Sequence, residues 1–233
     1  MYLKDDEMDN KTALLVGASG LVGNELLHIL LESQIYEKVV ALVRRPLEIK
    51  HPNLVEVLCD FERLEEVEEY FQVDDVFCTL GTTIKKAKTK EAMYRVDVEY
   101  PISIAELARE KGAKQFLIVS SMNANKDSRL WYPKMKGELE EFLRKIPYEA
   151  MLIFQPSLLL GNRSEFRLLE KMGVKIVRGL SRIMGNKIGS RLGIEAKTVA
   201  AAMFLVAQKE QKGIQVYSTR HMEGIQNNGI GIL

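Results

Sequence analysis

Short apolar runs alternate along this 233-residue chain with longer stretches in which apolar residues recur every three or four positions. The runs fall at Leu14–Val16, Lys38–Val43, Leu54–Cys59, Asp75–Leu80, Lys114–Ser121, Tyr148–Leu160 and Gly213–Tyr217. Density in Val, Ile, Leu and Phe predicts strands buried on both faces, the condition of a parallel sheet. The stretches Glu25–Leu31, Arg63–Tyr70, Glu91–Arg109 and Thr198–Ala207 carry helical spacing. Pro101 interrupts the third, and Lys111-Gly112 closes it. Strands in turn with helices predict an α/β chain with a doubly wound parallel sheet. No linker or repeat breaks the pattern, so residues 1–233 read as one domain with its core at about 11–160.

The first strand runs into Gly17-Ala18-Ser19-Gly20-Leu21-Val22-Gly23, and helical spacing resumes at Glu25. Strand, glycine turn and helix in that order form the phosphate cradle of a Rossmann dinucleotide-binding unit. In that reading Gly17 makes the tight turn, Gly20 lets backbone approach a pyrophosphate, and Gly23 lets helix and strand pack closely. The free N–H groups at the helix start would face the anion. A tight strand-to-helix turn needs glycine with or without a ligand, so the triplet alone leaves both readings open.

Ligands of a doubly wound sheet lie outside the carboxyl ends of its strands. The second strand ends at Arg44-Arg45, where guanidinium groups would hold the 2′-phosphate of NADP (NADPH) by charge-assisted bonds. The alternative is an exposed basic turn. Asp60, after the third strand, would accept from an adenine amine or N-cap the acidic helix that follows. Gly81, after the fourth, leaves room for a cofactor to pass. The run Lys85–Lys90 reads as a solvated loop, with a grip on an anionic substrate as the alternative.

Net charge is +1, so no global field points to nucleic acid or a membrane surface, and neither is expected as a partner. Cys59 and Cys78 read as small buried hydrophobes in a reducing compartment, while His28, His51 and His221 are too scattered for a metal site. Met1–Asn10 is polar and acidic, unlike a signal peptide, and a cytoplasmic address is expected.

Candidate chemistry follows the fifth strand. Ser120-Ser121 ends it, and Tyr132 and Lys136 stand one helical turn apart on a shared face. A phenol titrates at about pH 10, and an ammonium within about 4–6 Å favours its anion. Tyr132 would then serve as proton donor or acceptor, and a serine hydroxyl would steady charge on a substrate oxygen. Ser121 is favoured over Ser120 for that role. A surface tyrosine and a solvated lysine at this spacing are the plain alternative.

Together, Gly17 to Gly23, the Ser-Ser strand end and Tyr132/Lys136 resemble the short-chain dehydrogenase/reductase superfamily. Finer matches resemble its Tat-interactive-protein-like oxidoreductases: Val43-Arg44-Arg45, Cys59-Asp60-Phe61-Glu62, Cys78-Thr79-Leu80-Gly81-Thr82-Thr83, Arg95-Val96-Asp97, Tyr132 to Glu138, and Phe154 to Leu160. The resemblance implies NADP, with Ser19, Gly20, Leu21 and Val22 at its phosphates and Arg44 and Arg45 at its 2′-phosphate. It places Leu80 and Gly81 along the cofactor, Tyr132 as proton acceptor, Lys136 at the ribose, and Leu159 and Arg167 as further contacts. The superfamily's asparagine in the long helix falls at Asp97, its Asn-Asn-Ala-Gly at Leu80-Gly81-Thr82-Thr83, and its Arg-Pro at Gln155-Pro156.

Residues from about 161 to 225 are expected to cap the substrate pocket within the same domain. The cations Arg178, Arg182, Lys187 and Arg191 there read as surface charges or as contacts to an acidic substrate, and Gln226–Leu233 reads as a disordered tail. Two functions follow. One is an NADP-dependent oxidoreductase acting on a small carbonyl or alcohol, as monomer or homodimer. The other is an NADP(H)-binding regulatory protein working through partners.

Overall fold

Seven of the apolar runs pair into a single parallel sheet. The computed structural model describes residues 10–160, 193–209 and 211–229. Its strands are β1 (Lys11–Val16), β2 (Tyr36–Val43), β3 (Leu54–Leu58), β4 (Asp75–Cys78), β5 (Gln115–Val119), β6 (Ala150–Gln155) and, late in the chain, β9 (Gly213–Ser218). They lie in the order β3-β2-β1-β4-β5-β6-β9. Winding reverses between β1 and β4, the point where an open α/β sheet leaves a crevice at its carboxyl ends. This is the Rossmann-like, doubly wound architecture that the alternating pattern predicts.

Burial explains the absence of a polar face on the central strands, while β3 and β9 at the edges keep exposed positions. On β1, Ala13 and Leu15 join one core with Leu26, Leu27 and Leu30 of α1 (Leu21–Glu32). Leu14 and Val16 join a second core on the other side with Ile104, Leu139 and Leu143. The first core is sealed by α6 (Ala196–Ala207), whose alanines let it lie close on α1. The second is covered by α4 (Tyr100–Glu110) and α5 (Trp131–Leu143). Each fully buried Leu contributes about 1.5–3 kcal/mol, so helices on both faces are anchored by their apolar stripes.

Four elements depart from the sequence expectation. The acidic stretch after β3 is a 3-10 segment, Leu64–Phe71, broken at Val67, because Leu64 and Phe71 alone are buried on it. The long helix before β5 is α3 (Lys90–Tyr94), a π-turn at Arg95–Glu99, and α4. Pro101 accounts for the widening: it has no N–H for the Asp97 carbonyl, and its ring crowds that carbonyl. The Tyr100 N–H reaches back to Arg95 instead. The run to Leu160 splits at Pro156, and β7 (Leu158–Leu160) pairs with β8 (Gly193–Glu195) in a separate two-stranded sheet. Part of the expected tail is helix, α7 (Thr219–Gly229), held because Met222 is fully buried and Ile225 packs on the first core. The expected cap cations and Arg167 lie outside the described residues.

At the amino ends of the strands, away from the crevice, Asp75 is buried beneath α6. It accepts from the Tyr36 hydroxyl at 2.6 Å, Gln115 Nε2 at 3.0 Å and Lys11 Nζ at 3.4 Å. Gln208, just past α6, donates to the same Tyr36 oxygen at 3.1 Å. Burial pushes the Asp75 carboxyl above its usual range, opposed by Tyr36 and Lys11.

Candidate dinucleotide and catalytic site

The turn between β1 and α1 separates glycines that the fold needs from one that it does not. Gly17 sits at φ +91°, and a Cβ there would lie 2.7 Å from the Thr79 carbonyl carbon. A Cβ on Gly23 would lie 2.1 Å from the Gly17 oxygen. Helix, turn and β4 end therefore touch through bare backbone. Gly20 is in extended backbone, φ −84° and ψ 173°, and its Cβ would meet the Gly17 oxygen alone, at 3.2 Å. No backbone conformation calls for glycine at this position, and beyond the Gly17 oxygen the space is open. Gly20 caps α1 without a side-chain bond to the helix N–H groups, and the first turn holds no carboxylate. That cradle fits a pyrophosphate. Ser19 is exposed at its lip, while the Leu21 side chain packs on the core and Val22 is buried, so these two offer their amides.

Arg44 and Arg45 are exposed just beyond β2, and neither forms an ion pair among the described residues. Asp60 is exposed beyond β3. Its carboxylate accepts from the Glu62 N–H at 3.1 Å and faces Arg63 Nε at 3.6 Å. It closes a local turn rather than capping the 3-10 segment, whose cap is Arg63. Leu80 and Gly81 follow β4 at the crevice, and the Thr82 N–H donates to Asp97 Oδ2 at 2.8 Å. Leu159 lies half-buried on β7 and packs against the first core. Past it, a cleft of about 430 Å³ opens between the β7–β8 pair and α7, lined by Leu160, Ile194, Thr198 and Gln226 among others.

The lysine run forms two short exposed turns, α2 (Ile84–Ala87) and α3, capped by Thr83 and Thr89. Lys90 Nζ lies 5.4 Å over the Trp131 ring.

The π-turn aims Asp97 inward, at α5. Lys136 Nζ lies 2.9 Å from Asp97 Oδ1, with 3% and 2% of their side-chain surfaces exposed. Lys136 is thus a clamped ammonium whose charge is already matched, and Asp97 joins it to the β4 loop through Thr82. The asparagine-to-aspartate difference, which as sequence looks like the loss of a relay group, provides a buried counter-ion.

A second buried network lies under the end of β5. Ser120 donates to Glu140 Oε1 at 2.5 Å, and Gln155 Nε2 reaches both oxygens of that carboxylate at 2.9 and 3.0 Å. Arg144 adds a longer contact at 3.7 Å. Ser120 is therefore committed, whereas the Ser121 hydroxyl has a single long contact, 3.3 Å to the Met122 carbonyl. Tyr132 is 39% exposed at the first turn of α5. The loop from Ser121 returns over this helix, with the Asn125 N–H bonded to the Pro133 carbonyl at 2.9 Å. It passes so close that a Cβ on Gly137 would fall 2.1 Å from Lys126 N. Ser121, Tyr132 and Lys136 are held to one strand end and one helix start by these contacts.

Glu140, Gln155 and Gly137 were not singled out from sequence as site residues. Glu140 carried a usable signal: it stands four residues past Lys136, a carboxylate on a stripe otherwise filled by Met135, Leu139 and Leu143.

A family model described as NAD(P)H-binding matches residues 17–151, from the glycine turn into β6. The chain belongs to this NAD(P)H-binding family. Within it, the relatives are Tat-interactive-protein-like. Protein HTATIP2 of Rattus norvegicus is 38% identical over 168 residues, 70% of this chain and 69% of that protein. The mitochondrial protein FMP52 of Candida glabrata is 30% identical over 233 residues, 92% of this chain and 93% of its own. Among solved structures, MoeE5 in complex with UDP-glucose and NAD superposes with TM-score 0.66 at 19% identity, covering 89% of this chain and 75% of that one. A short-chain dehydrogenase/reductase family oxidoreductase from Burkholderia thailandensis gives TM-score 0.64 at 15% identity, covering 95% and 98%. At such identities the likeness is one of fold. Membership makes this an NAD(P)H-binding protein, and the superpositions give it the fold of these dinucleotide-binding structures.

One expectation is corrected. The cytoplasmic address read from the acidic N-terminus does not stand, because the FMP52 relatives from several fungi are mitochondrial proteins. Among the described residues no helix is long and apolar enough to cross a membrane, and no group of His, Cys, Asp and Glu could hold a metal ion.

Proposed function

We propose that the protein is an NADP-dependent oxidoreductase acting on a carbonyl or alcohol through Ser121, Tyr132 and Lys136. One observation carries this reading. Ser121, just past β5, and Tyr132, on the first turn of α5, carry open hydroxyls, while Ser120, Lys136, Glu140 and Gln155 are already paired. The bound dinucleotide supplies or accepts the hydride. In the reducing direction, Ser121 donates a hydrogen bond to the substrate carbonyl oxygen as charge builds on it. Tyr132 releases its phenolic proton to the same oxygen, so carbonyl carbon gains hydride, oxygen gains a proton, and an alcohol leaves. Lys136, fixed by Asp97, holds the α5 start against the Leu80–Gly81 loop. Ser19 with the amides of Gly20, Leu21 and Val22 takes the phosphates, and Arg44 and Arg45 take the 2′-phosphate.

The experiment is NADPH oxidation with a panel of aldehydes and ketones, in the wild type and in Tyr132→Phe. The variant is expected to lose at least 100-fold in kcat while NADPH affinity stays within about twofold. Turnover equal to wild type removes Tyr132 from the chemistry. A second reading, an NADP(H)-binding regulator working through partners, draws on Asp97, which stands where the superfamily has asparagine and ties up Lys136 at 2.9 Å. A wild type that binds NADPH and is silent across the panel favours that reading. The FMP52 relatives support a mitochondrial location, tested by fractionation of cells expressing the tagged chain. Sedimentation of the purified chain distinguishes monomer from homodimer.

A further inference from the structure

The site's surroundings carry an asymmetry that the chemistry above does not use. Residues at its rim are large, apolar and exposed: Met122 directly after Ser121, Leu130 and Tyr132 at the start of α5, and Leu158 after β6. They come together because the Met122 N–H bonds the Pro156 carbonyl at 2.9 Å, and because the 122–130 loop folds back on α5 through Asn125 and Pro133. Leu130 is the sharpest case. It is 64% exposed and is the N-cap of α5, with no side-chain bond to the helix. Ser, Thr, Asp or Asn there would stabilise the helix by about 1 kcal/mol. The chain forgoes that at the mouth of its site, in a position where folding leaves leucine mostly exposed.

Beneath this rim, several polar groups of the described residues are spent on one another. Lys136 pairs with Asp97, and the amide of Gln155 is taken by Glu140, which also holds Ser120. Among the described residues, a ligand entering over Ser121 and Tyr132 meets two hydroxyls for one oxygen, with the exposed hydrocarbon of Met122, Leu130 and Leu158 beside them.

We infer that the substrate is a neutral carbonyl compound with an extended hydrocarbon body, its oxygen on Ser121 and Tyr132 and its chain laid across Met122, Leu130 and Leu158. This rests on the oxidoreductase reading for the oxygen's position and adds the class of the remainder. It also separates this site from one that takes a sugar nucleotide, the ligand named for MoeE5.

Two measurements test it, and they fail separately from the function above. The first needs no turnover. Trp131 lies between Leu130 and Tyr132 and is the chain's one tryptophan, so its emission reports the rim. In the NADP-loaded protein, 1-octanol should shift that emission at a concentration at least tenfold below 1-butanol, and Leu130→Ser should shrink the ratio. The second is the kcat/KM series from propanal to octanal, expected to rise about threefold per methylene. In Leu130→Ser and Met122→Ser the slope should fall, while in Phe142→Ser, an exposed hydrophobe on the last turn of α5, it should not. Equal binding of the two alcohols, a flat series, or UDP-glucose competing better than octanol overturns the inference. Alcohol binding graded by length without turnover of any carbonyl upholds the apolar rim and overturns the oxidoreductase reading instead.

Discussion

Among single residues, Asp97 has the largest expected effect. Removing one partner of a buried pair leaves the other charge without compensation, at a cost of about 3–5 kcal/mol. Asp97→Ala should therefore lower unfolding stability by that amount in urea titrations, and a change under about 1 kcal/mol would contradict the burial of Lys136. Asp75 gives a pH signature at the other end of the sheet. Its carboxyl is raised by burial, so the native state holds that proton more tightly than the unfolded chain does. Stability from this group is present below about pH 4, the unfolded value, and is lost as pH rises through the raised native value. The stability difference between wild type and Asp75→Asn should accordingly fall from pH 4 towards neutrality; a rise would reverse the assignment. The thiols offer a third check. Burial pushes Cys59 up to about 11 and Cys78 up to about 12. Both should be silent to a disulfide reagent at pH 8 in the native protein, and both should react in urea.

At the level of elements, the β1–α1 turn distinguishes fold from function by two substitutions. Gly23→Ala forces a Cβ to 2.1 Å from the Gly17 carbonyl oxygen and should cost about 1–3 kcal/mol of stability. Gly20→Ala asks the Gly17 oxygen, 3.2 Å from the new Cβ, to give way only slightly, at a cost of about 1 kcal/mol, yet should weaken NADPH binding about tenfold or more by occupying the cradle. Equal effects on binding and stability at both positions would mean that the turn is merely structural. Gly137→Ala should lift the Ser121–Leu130 loop from α5 and lower kcat by about 100-fold, with little change in NADPH affinity. These elements were legible to different degrees. Strand, glycine triplet and helix could be read directly, because each has a local signature. The π-turn could not, although Pro101 marked the spot, since a proline four residues past a carbonyl interrupts a helix without saying how the turn relaxes. The 3-10 segment deceived for a related reason: its helical spacing was real, but it buries two residues.

For the whole molecule, the class of the sheet followed from alternation alone, and it is this class that puts the candidate site at the carboxyl ends. Strand order did not, since pairing is non-local and β9 joins the sheet from the end of the chain. The pairing of Lys136 with Asp97, 39 positions earlier, was hidden likewise, and so was the Ser120–Glu140–Gln155 network. Each depends on contacts that helix and strand periodicity do not encode. What sequence supplied was the set of residue types; what folding added was which of them are spent on each other and which stay open.

A crystal grown with NADPH measures this most directly. The dinucleotide should cross the β1–β4 switch point with its pyrophosphate at Gly20, its 2′-phosphate at Arg44 and Arg45, and nicotinamide C4 facing a space bounded by Ser121 and the Tyr132 hydroxyl, about 3–3.5 Å from a bound carbonyl carbon. Density elsewhere, or a nicotinamide ring turned from Tyr132, would contradict it.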